Sequence, residues 1–322
     1  MADKVKQTFS SSWGISGVLV AVCAIFLGVV WIVNPELADV VFQGFFVGGL
    51  YGLIALGFVL IFKSSQVLNL AYGEMIAILS YFLYFLLDSL DFPLGLAIVL
   101  MFVAGAGLGF LLERSFIRPL VGQPFLAMLM MTLMLMFLFQ GIMVLIWGGE
   151  SYSLPFAPGG MIDFGGISVL PAPLWAFGAA IAVFLLLAFV FRYTKIGLAM
   201  RVVAADHAVS QSLGIKVKQM FSLSWAISGA FAAICGILVS LVWMVTPEMG
   251  HIGLGKGLVV VLLGGLNSIP GALVGGLIVG VAEALGGFWW ADVREIIPWL
   301  LMLLILIIRP WGMFGERRIE RI

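Results

Sequence analysis

Four polar side chains stand close together in an otherwise apolar stretch, QVLNLAYGEM: Gln66, Asn69, Tyr72 and Glu74. On one helix they span three turns, and Glu74 would lie about 12 Å from its start at 1.5 Å per residue. A carboxylate near the centre of a bilayer costs about 2.5 to 3.5 kcal/mol on insertion scales, which favours a position facing the bundle interior or a wet cavity. We interpret the four residues as candidates for a solute pathway. A structural alternative stays open, in which Glu74 is neutral or hydrogen-bonded and only holds helices together.

A second polar place is GGLNSIPGALVGG, where Asn267 and Ser268 interrupt an apolar run. Irregular backbone at membrane depth is tolerated only where protein or a cavity surrounds it, and transporters use such breaks to bind solutes. We therefore add Asn267 and Ser268 to the pathway candidates. Glycines can also simply allow close helix packing, and this is our interpretation of Gly275, Gly276, Gly280 and the run Ala104 to Gly109.

Catalytic chemistry finds little support in the sequence. The chain has two histidines, His207 and His251, and no H-E-x-x-H motif, so we predict neither a catalytic nor a metal site. GFVLIFKS is the nearest approach to a phosphate-binding loop, but Phe62 replaces its second glycine. ATP would have to be hydrolysed by another chain. Both cysteines, Cys23 and Cys235, fall in apolar runs and are predicted to be core residues.

The elements that must position these residues are membrane helices. Of 322 residues, 63% are hydrophobic and 10% charged, and the mean hydropathy is +1.21, values that exclude a water-soluble globule. A crossing needs about 20 apolar residues. Eight full spans are predicted on this basis: 14–33, 41–62, 66–87, 93–112, 124–147, 174–191, 220–243 and 296–308.

The segment 254–286 is too long for one upright crossing, because a helix of this length would measure roughly 50 Å. Asn267, Ser268, Pro270 and Gly271 break it near the middle, since proline removes a helical donor. We expect two short legs. The fold class is thus an all-α polytopic membrane protein with about eight full transmembrane helices and one broken, Gly/Pro-interrupted helical hairpin.

Charge predicts the orientation, because cytoplasmic loops collect Lys and Arg. With the N-terminus inside, 14 of the 16 basic residues fall on the cytoplasmic side, and only Lys256 and Arg294 fall outside. Both termini are therefore expected in the cytoplasm.

A polar stretch, RVVAADHAVSQSLGI, lies on that cytoplasmic side. At 100° per residue Leu198, Val202, Ala205, Val209 and Leu213 share one stripe, and a polar arc lies beside it. Gly214 provides a helix stop. The helix lies on the membrane surface or docks in a groove of a cytoplasmic partner, and both readings are open. The residues that would make the docking surface are Arg201, Val202, Ala205, Asp206, His207, Val209, Ser210, Leu213 and Gly214.

Three blocks of the chain resemble a known family: GLYGLIALGFVLIFKSSQVLNLAYGEM, TKIGLAMRVVAADHAVSQSLGIKVKQMFSLSWAISGAFAAICGIL and VLLGGLNSIPGALVGGLIVGVAEAL. They are similar to the LivH-type permease subunit of branched-chain amino acid ABC importers, in register over roughly residues 40 to 315. The resemblance implies a permease domain at 39–315 with a coupling helix at 198–214. Residues 1–38 would form an N-terminal tail with an extra helix, and 316–322 a basic cytoplasmic tail.

The resemblance also implies partners. The permease would hold no cofactor of its own and would work with a second permease, identical or not, two cytoplasmic ATPases that bind ATP and Mg, and a periplasmic solute-binding protein. Its place would be the bacterial cytoplasmic (inner) membrane, and its solutes branched-chain or hydrophobic amino acids or related small amides or carboxylates. The alternative is a self-sufficient channel or a secondary transporter in which Glu74 or Glu283 carries a coupling proton.

Overall fold

The computed structural model describes residues 35–154, 160, 162–164, 167–169, 171–205 and 207–315. The predicted first span at 14–33, the tail at 316–322 and Asp206 lie outside these residues. The α-helices of the described part are α1 (Pro35–Ser65), α2 (Tyr72–Tyr84), α3 (Leu94–Leu112), α4 (Phe125–Trp147), α5 (Pro171–Tyr193), α6 (Lys195–Ala205), α7 (His207–Ser212), α8 (Val217–Val242), α9 (Met249–Gly264), α10 (Ile269–Trp289) and α11 (Ile297–Ile308).

Six of the described helices are long and apolar enough to cross a membrane, namely α1, α3, α4, α5, α8 and α10. The apolar helices α9 and α11 are shorter. The protein is therefore a polytopic, largely helical membrane protein, as predicted. Five predicted spans, at 41–62, 93–112, 124–147, 174–191 and 220–243, each correspond to one of these long helices.

The predicted span 66–87 is wrong at its start, because α2 begins only at Tyr72. Gln66 has a positive φ of 57°, which a helix does not contain. The side-chain oxygen of Asn69 accepts a hydrogen bond from the backbone N–H of Ala71 at 3.1 Å. An asparagine bonded to the backbone two residues on holds a turn. At its far end α2 continues into a π-helical turn, Phe85–Ser89.

The predicted break in 254–286 is confirmed, since residues 265–268 separate α9 from α10. The Ser268 hydroxyl oxygen accepts from the Gly271 N–H at 3.0 Å and so caps α10. Pro270 lies in the first turn, where a helix needs no N–H donor. The expectation of two short legs is wrong for α10, which has 21 residues and is long enough to cross a membrane.

A short β-hairpin lies between α4 and α5 in the described part of this largely helical protein. Strand β1 (Ile162–Phe164) pairs antiparallel with β2 (Ile167–Val169), with Ile162 opposite Val169. In the sequence two glycines separate the strands, and a Gly-Gly pair is one of the preferred two-residue hairpin links.

Close helix contacts hold the core together, and α1 packs most extensively against α10. A Cβ on Gly48 would lie 2.7 Å from the Gly276 carbonyl oxygen, and one on Gly44 would lie 2.7 Å from that of Gly280. Only glycine allows this approach. The packing role predicted for Gly276 and Gly280 is thus confirmed. In the contact of α3 with α8, the predicted packing role is confirmed for Gly105 and Gly109. It is wrong for Gly107, because a Cβ there would meet nothing within 4 Å.

Candidate translocation site

Two helices begin inside the bundle, and their N-termini meet there. Gly73, in the first turn of α2, packs against Gly250 in the first turn of α9. The Tyr72 hydroxyl donates to the Ser228 carbonyl oxygen at 3.5 Å, in the middle of α8. The non-helical segments before these starts, 66–71 and 243–248, are therefore irregular backbone at depth, which membranes tolerate only beside protein or a cavity.

Glu74 lies where these N-termini meet. Its side chain is 0% exposed, its carboxylate lies against Gly250, and neither oxygen accepts a hydrogen bond from the described residues. The nearest opposite group is the His251 ring, whose Nδ1 is 3.5 Å from Glu74 Oε1. A negative charge in the first turn of a helix interacts favourably with the helix dipole. The carboxylate thus has free acceptor positions among the described residues.

His251 connects this carboxylate to the surface of the bundle. The ring is 43% exposed, and its Nε2 lies 2.9 Å from Nε2 of Gln140 on α4. An amide nitrogen can only donate, so the imidazole Nε2 accepts and Nδ1 carries the proton in the neutral ring. Nδ1 lies 3.5 Å from Glu74 Oε1, but the two atoms form no hydrogen bond of good geometry. The sequence analysis predicted neither a catalytic nor a metal site at His251.

The predicted pathway residues do not form one group. Asn69 and Tyr72 are buried near Glu74. Gln66 instead lines a cavity of about 180 Å³ together with Asn267 of the loop between α9 and α10. The idea that all four polar residues of QVLNLAYGEM share one helix is therefore wrong.

The loop between α9 and α10 lies at one end of the bundle, whereas the sequence analysis expected it at membrane depth. Met313 and Phe314 donate their N–H groups to the carbonyls of Leu263 and Gly264 at 2.8 and 3.0 Å, so residues after α11 pack on the loop. The cavity beside it is lined by Phe62 at the end of α1. The break therefore lies at the Lys63 end of the bundle. Ser268 acts there as the cap of α10, which is a structural role.

The stretch predicted to be cytoplasmic forms α6 and α7, and its predicted stop at Gly214 is confirmed. Gly214 has φ +78°. Its N–H donates to the Gln211 carbonyl, and the Ile215 N–H donates to that of Ser210, both at 3.0 Å. This pair of bonds is the usual glycine closure of a helix C-terminus.

The faces of this stretch differ from the predicted stripe. Val203 is fully buried against Val217 and Phe221 at the start of α8. Ser210, expected in the outward polar arc, is also fully buried, whereas Leu213 is 66% exposed. The 100° wheel does not show which face packs on the bundle, because the contact of Val203 with Val217 and Phe221 on α8 decides it. Arg201 and Val202 are half-buried, and the side chains of Ala205, His207 and Val209 lie outside the described set.

The sequence analysis did not predict the buried charge pair of Lys256 and Glu283. Lys256 was counted as an outer basic residue, but it lies within α9 and is 6% exposed. Its Nζ is 3.2 Å from Oε2 of Glu283 on α10. The signal was available, since one lysine in the apolar run GLGKGLVVVLLG must find a partner. Glu113, 1% exposed, forms a comparable contact with Arg118 at 2.9 Å, and the Ser222 hydroxyl donates to it at 2.8 Å.

Comparison with known proteins gives a consistent result. Residues 40–306 match the sequence model of a family described as branched-chain amino acid transport system, permease component. The high-affinity branched-chain amino acid permease LivH of Salmonella typhimurium is 28% identical over 299 residues, covering 87% of this chain and 96% of that protein. BraD of Pseudomonas aeruginosa is 28% identical with the same coverage, and a probable LivH of Methanocaldococcus jannaschii is 28% identical over 283 residues. No solved structure was found to match.

Proposed function

This chain belongs to the family of branched-chain amino acid transport permease components, and from that premise we propose that it imports branched-chain or other apolar amino acids. Related small amides or carboxylates are the wider solute class. Its relatives are named as parts of multi-subunit transport systems. The full complex in this proposal holds a second permease, two ATPases that bind ATP and Mg, and a periplasmic binding protein.

One observation supports coupling to an ATPase above all. α6 and α7 are attached to the bundle by Val203, yet they leave Leu198 and Leu213 55% and 66% exposed. Apolar side chains on a polar, terminal face of a membrane bundle suit a helix that lies in a groove of another protein. A channel or proton-coupled secondary transporter, the alternative function, has no need of such a surface.

The proposed topology places both termini in the cytoplasm of a bacterial cell and the chain in the cytoplasmic membrane. The extra helix at 14–33, the six long helices and the shorter α2, α9 and α11 then alternate across the bilayer, which makes ten crossings and returns the C-terminus to the cytoplasm. This arrangement puts α6 and α7 beside the ATPases and the hairpin β1–β2 outside. The solute pathway in this proposal passes Glu74, Asn69 and Tyr72, with Gln66 and Asn267 at the cytoplasmic end.

The proposal is tested by a charge in the coupling surface. Leu213→Glu should leave insertion and melting temperature unchanged, because the side chain is exposed. In the complex it would bury a carboxylate in a groove, which costs far more than the lost apolar contact. ATPase co-purification and solute-stimulated ATP hydrolysis should therefore fall at least tenfold in proteoliposomes.

Gln211→Glu is the matched control, because Gln211 is also exposed and the same charge there replaces a polar rather than an apolar side chain. It should hydrolyse ATP as the wild type does. Full coupled hydrolysis in Leu213→Glu would favour a helix that lies on the membrane and would revive the channel or secondary-transporter alternative.

A further inference from the structure

Four charged side chains meet between α9, α10 and the segment before α11. Lys256 Nζ lies 3.2 Å from Glu283 Oε2 and 2.9 Å from Glu295 Oε2, and Arg294 Nε lies 3.4 Å from Glu283 Oε1. The Lys256 and Glu283 side chains are 7% and 4% exposed, whereas those of Arg294 and Glu295 are 53% and 76% exposed. The cluster thus has a buried inner pair and an outer pair at the surface.

The inner pair is not fully satisfied. Glu283 Oε2 accepts no hydrogen bond of good geometry from the described residues, although Lys256 is near. A buried ion pair rarely stabilises a protein more than apolar side chains of the same volume would. An ionisable residue within a membrane segment is, for the same reason, a functional candidate by default.

An apolar cleft adjoins this pair. Tyr51 lines the cleft, reaches Glu283 and stacks on Trp243 with ring centroids 6.1 Å apart and planes at 8°. Ile252 also lines it and precedes Lys256 by four residues, so both lie on one face of α9. The cleft measures about 30 Å³, the room of one water molecule, and it must widen to admit a solute.

We infer that Lys256 and Glu283 form a receptor for a zwitterion. Lys256 binds the carboxylate of an amino acid, Glu283 binds its ammonium, and the Tyr51–Trp243 cleft takes the apolar side chain. The exchange is neutral in charge, because one internal ion pair is replaced by two pairs with the solute. Such a receptor selects amino acids over the amides and carboxylates that the proposed function, on which this inference rests, leaves open.

The test compares single and double variants in the full complex, in proteoliposomes supplied with leucine and the binding protein. Glu283→Gln and Lys256→Met each remove one charge, and each should lower leucine uptake by about 10- to 100-fold, the range of a lost charged hydrogen bond. The double variant Lys256→Met with Glu283→Gln removes the buried pair without leaving one charge alone. It should regain melting temperature and ATPase binding relative to the single variants but not uptake, because both charged groups of the solute then lack their partners.

The conservative variants Lys256→Arg and Glu283→Asp keep both charges and guard against misfolding of the singles. They should raise KM for leucine about tenfold at wild-type melting temperature. Wild-type uptake in the double or the conservative variants would make the pair structural and overturn the inference, while the proposed function would stand. A wild-type complex that takes up no amino acid, small amide or carboxylate would instead overturn the proposed function and this inference together.

Discussion

At the scale of single residues, the buried carboxylates differ in how completely they are paired. Glu113 has Arg118 and Ser222, and Glu283 has Lys256 and Arg294. Among the described residues, the one charge partner of Glu74 is His251, at the long distance of 3.5 Å. The first arrangement suits a structural fastening between α3 and α8. An incompletely paired carboxylate can accept a new partner, which is why Glu74 is the pathway candidate to test first.

Replacing Glu74 with Gln should leave assembly intact, because the side chains have nearly the same size. Loss of the charge should reduce ATP-driven uptake by about tenfold or more, the value of a hydrogen bond to a charged group. Radiolabelled solute uptake in proteoliposomes measures this effect. Asp88→Asn, the same chemical change at an exposed position of the π turn after α2, should transport normally. Unchanged uptake in Glu74→Gln would make Glu74 a structural residue.

At the scale of elements, helix ends and helix contacts decide where polar groups lie. α2 and α9 begin inside the bundle because the segments before them are held in turns and by the backbone bridge of Tyr152 with Val245. α1 and α10 approach closely because glycines face each other along their contact. The short helices α2 and α9 thus begin inside the bundle, beside the candidate pathway. The long helices α1 and α10 form a closely packed frame.

Gly48→Ala should destabilise that frame. The added Cβ would lie 2.7 Å from the Gly276 carbonyl oxygen and 2.9 Å from the Leu277 Cα, and neither backbone atom can move alone. Overpacking of this kind costs about 1 to 3 kcal/mol. A lower melting temperature in detergent would report it. Gly107→Ala has open space around the new methyl group and should melt at the wild-type temperature or slightly above. Equal melting of both variants would contradict a tight α1–α10 seam.

At the scale of the whole molecule, the buried charges and the exposed apolar surface are arranged as a transport subunit requires. α1 and α8 are mostly buried, whereas most residues of α3, α4 and α5 are at least partly exposed. Lipid or a second membrane subunit can cover such helices, since the bilayer core is itself apolar. The family match over residues 40–306 spans all of these helices.

The proposed orientation can be tested with two exposed positions at opposite ends of α4. Ser151→Cys should react with a membrane-impermeant maleimide in intact cells. Val121→Cys should react only after the membrane is opened, because the loop before α4 is assigned to the cytoplasm. Cys235 is fully buried and should remain unlabelled as the internal reference. The reverse pattern would invert the topology and remove α6 and α7 from the ATPase side.

The sequence by itself determined the features that depend on neighbouring residues. Composition placed the chain in a membrane, apolar runs located five of the long helices, Asn267 to Gly271 located the break, and Gly214 located a helix end. Each of these signals acts through local backbone geometry or through transfer of one segment from water to lipid.

Only the tertiary structure decided which polar groups meet. His251 lies beside Glu74, and Lys256 beside Glu283, because different helices bring them together. The start of α2 at Tyr72 and the burial of Ser210 likewise depend on packing with other elements. In an apolar medium a buried polar group is stabilised by whichever partner lies within a few ångströms. Helix packing supplies that partner, and the periodicity of a single segment cannot predict which residue of another helix it will be.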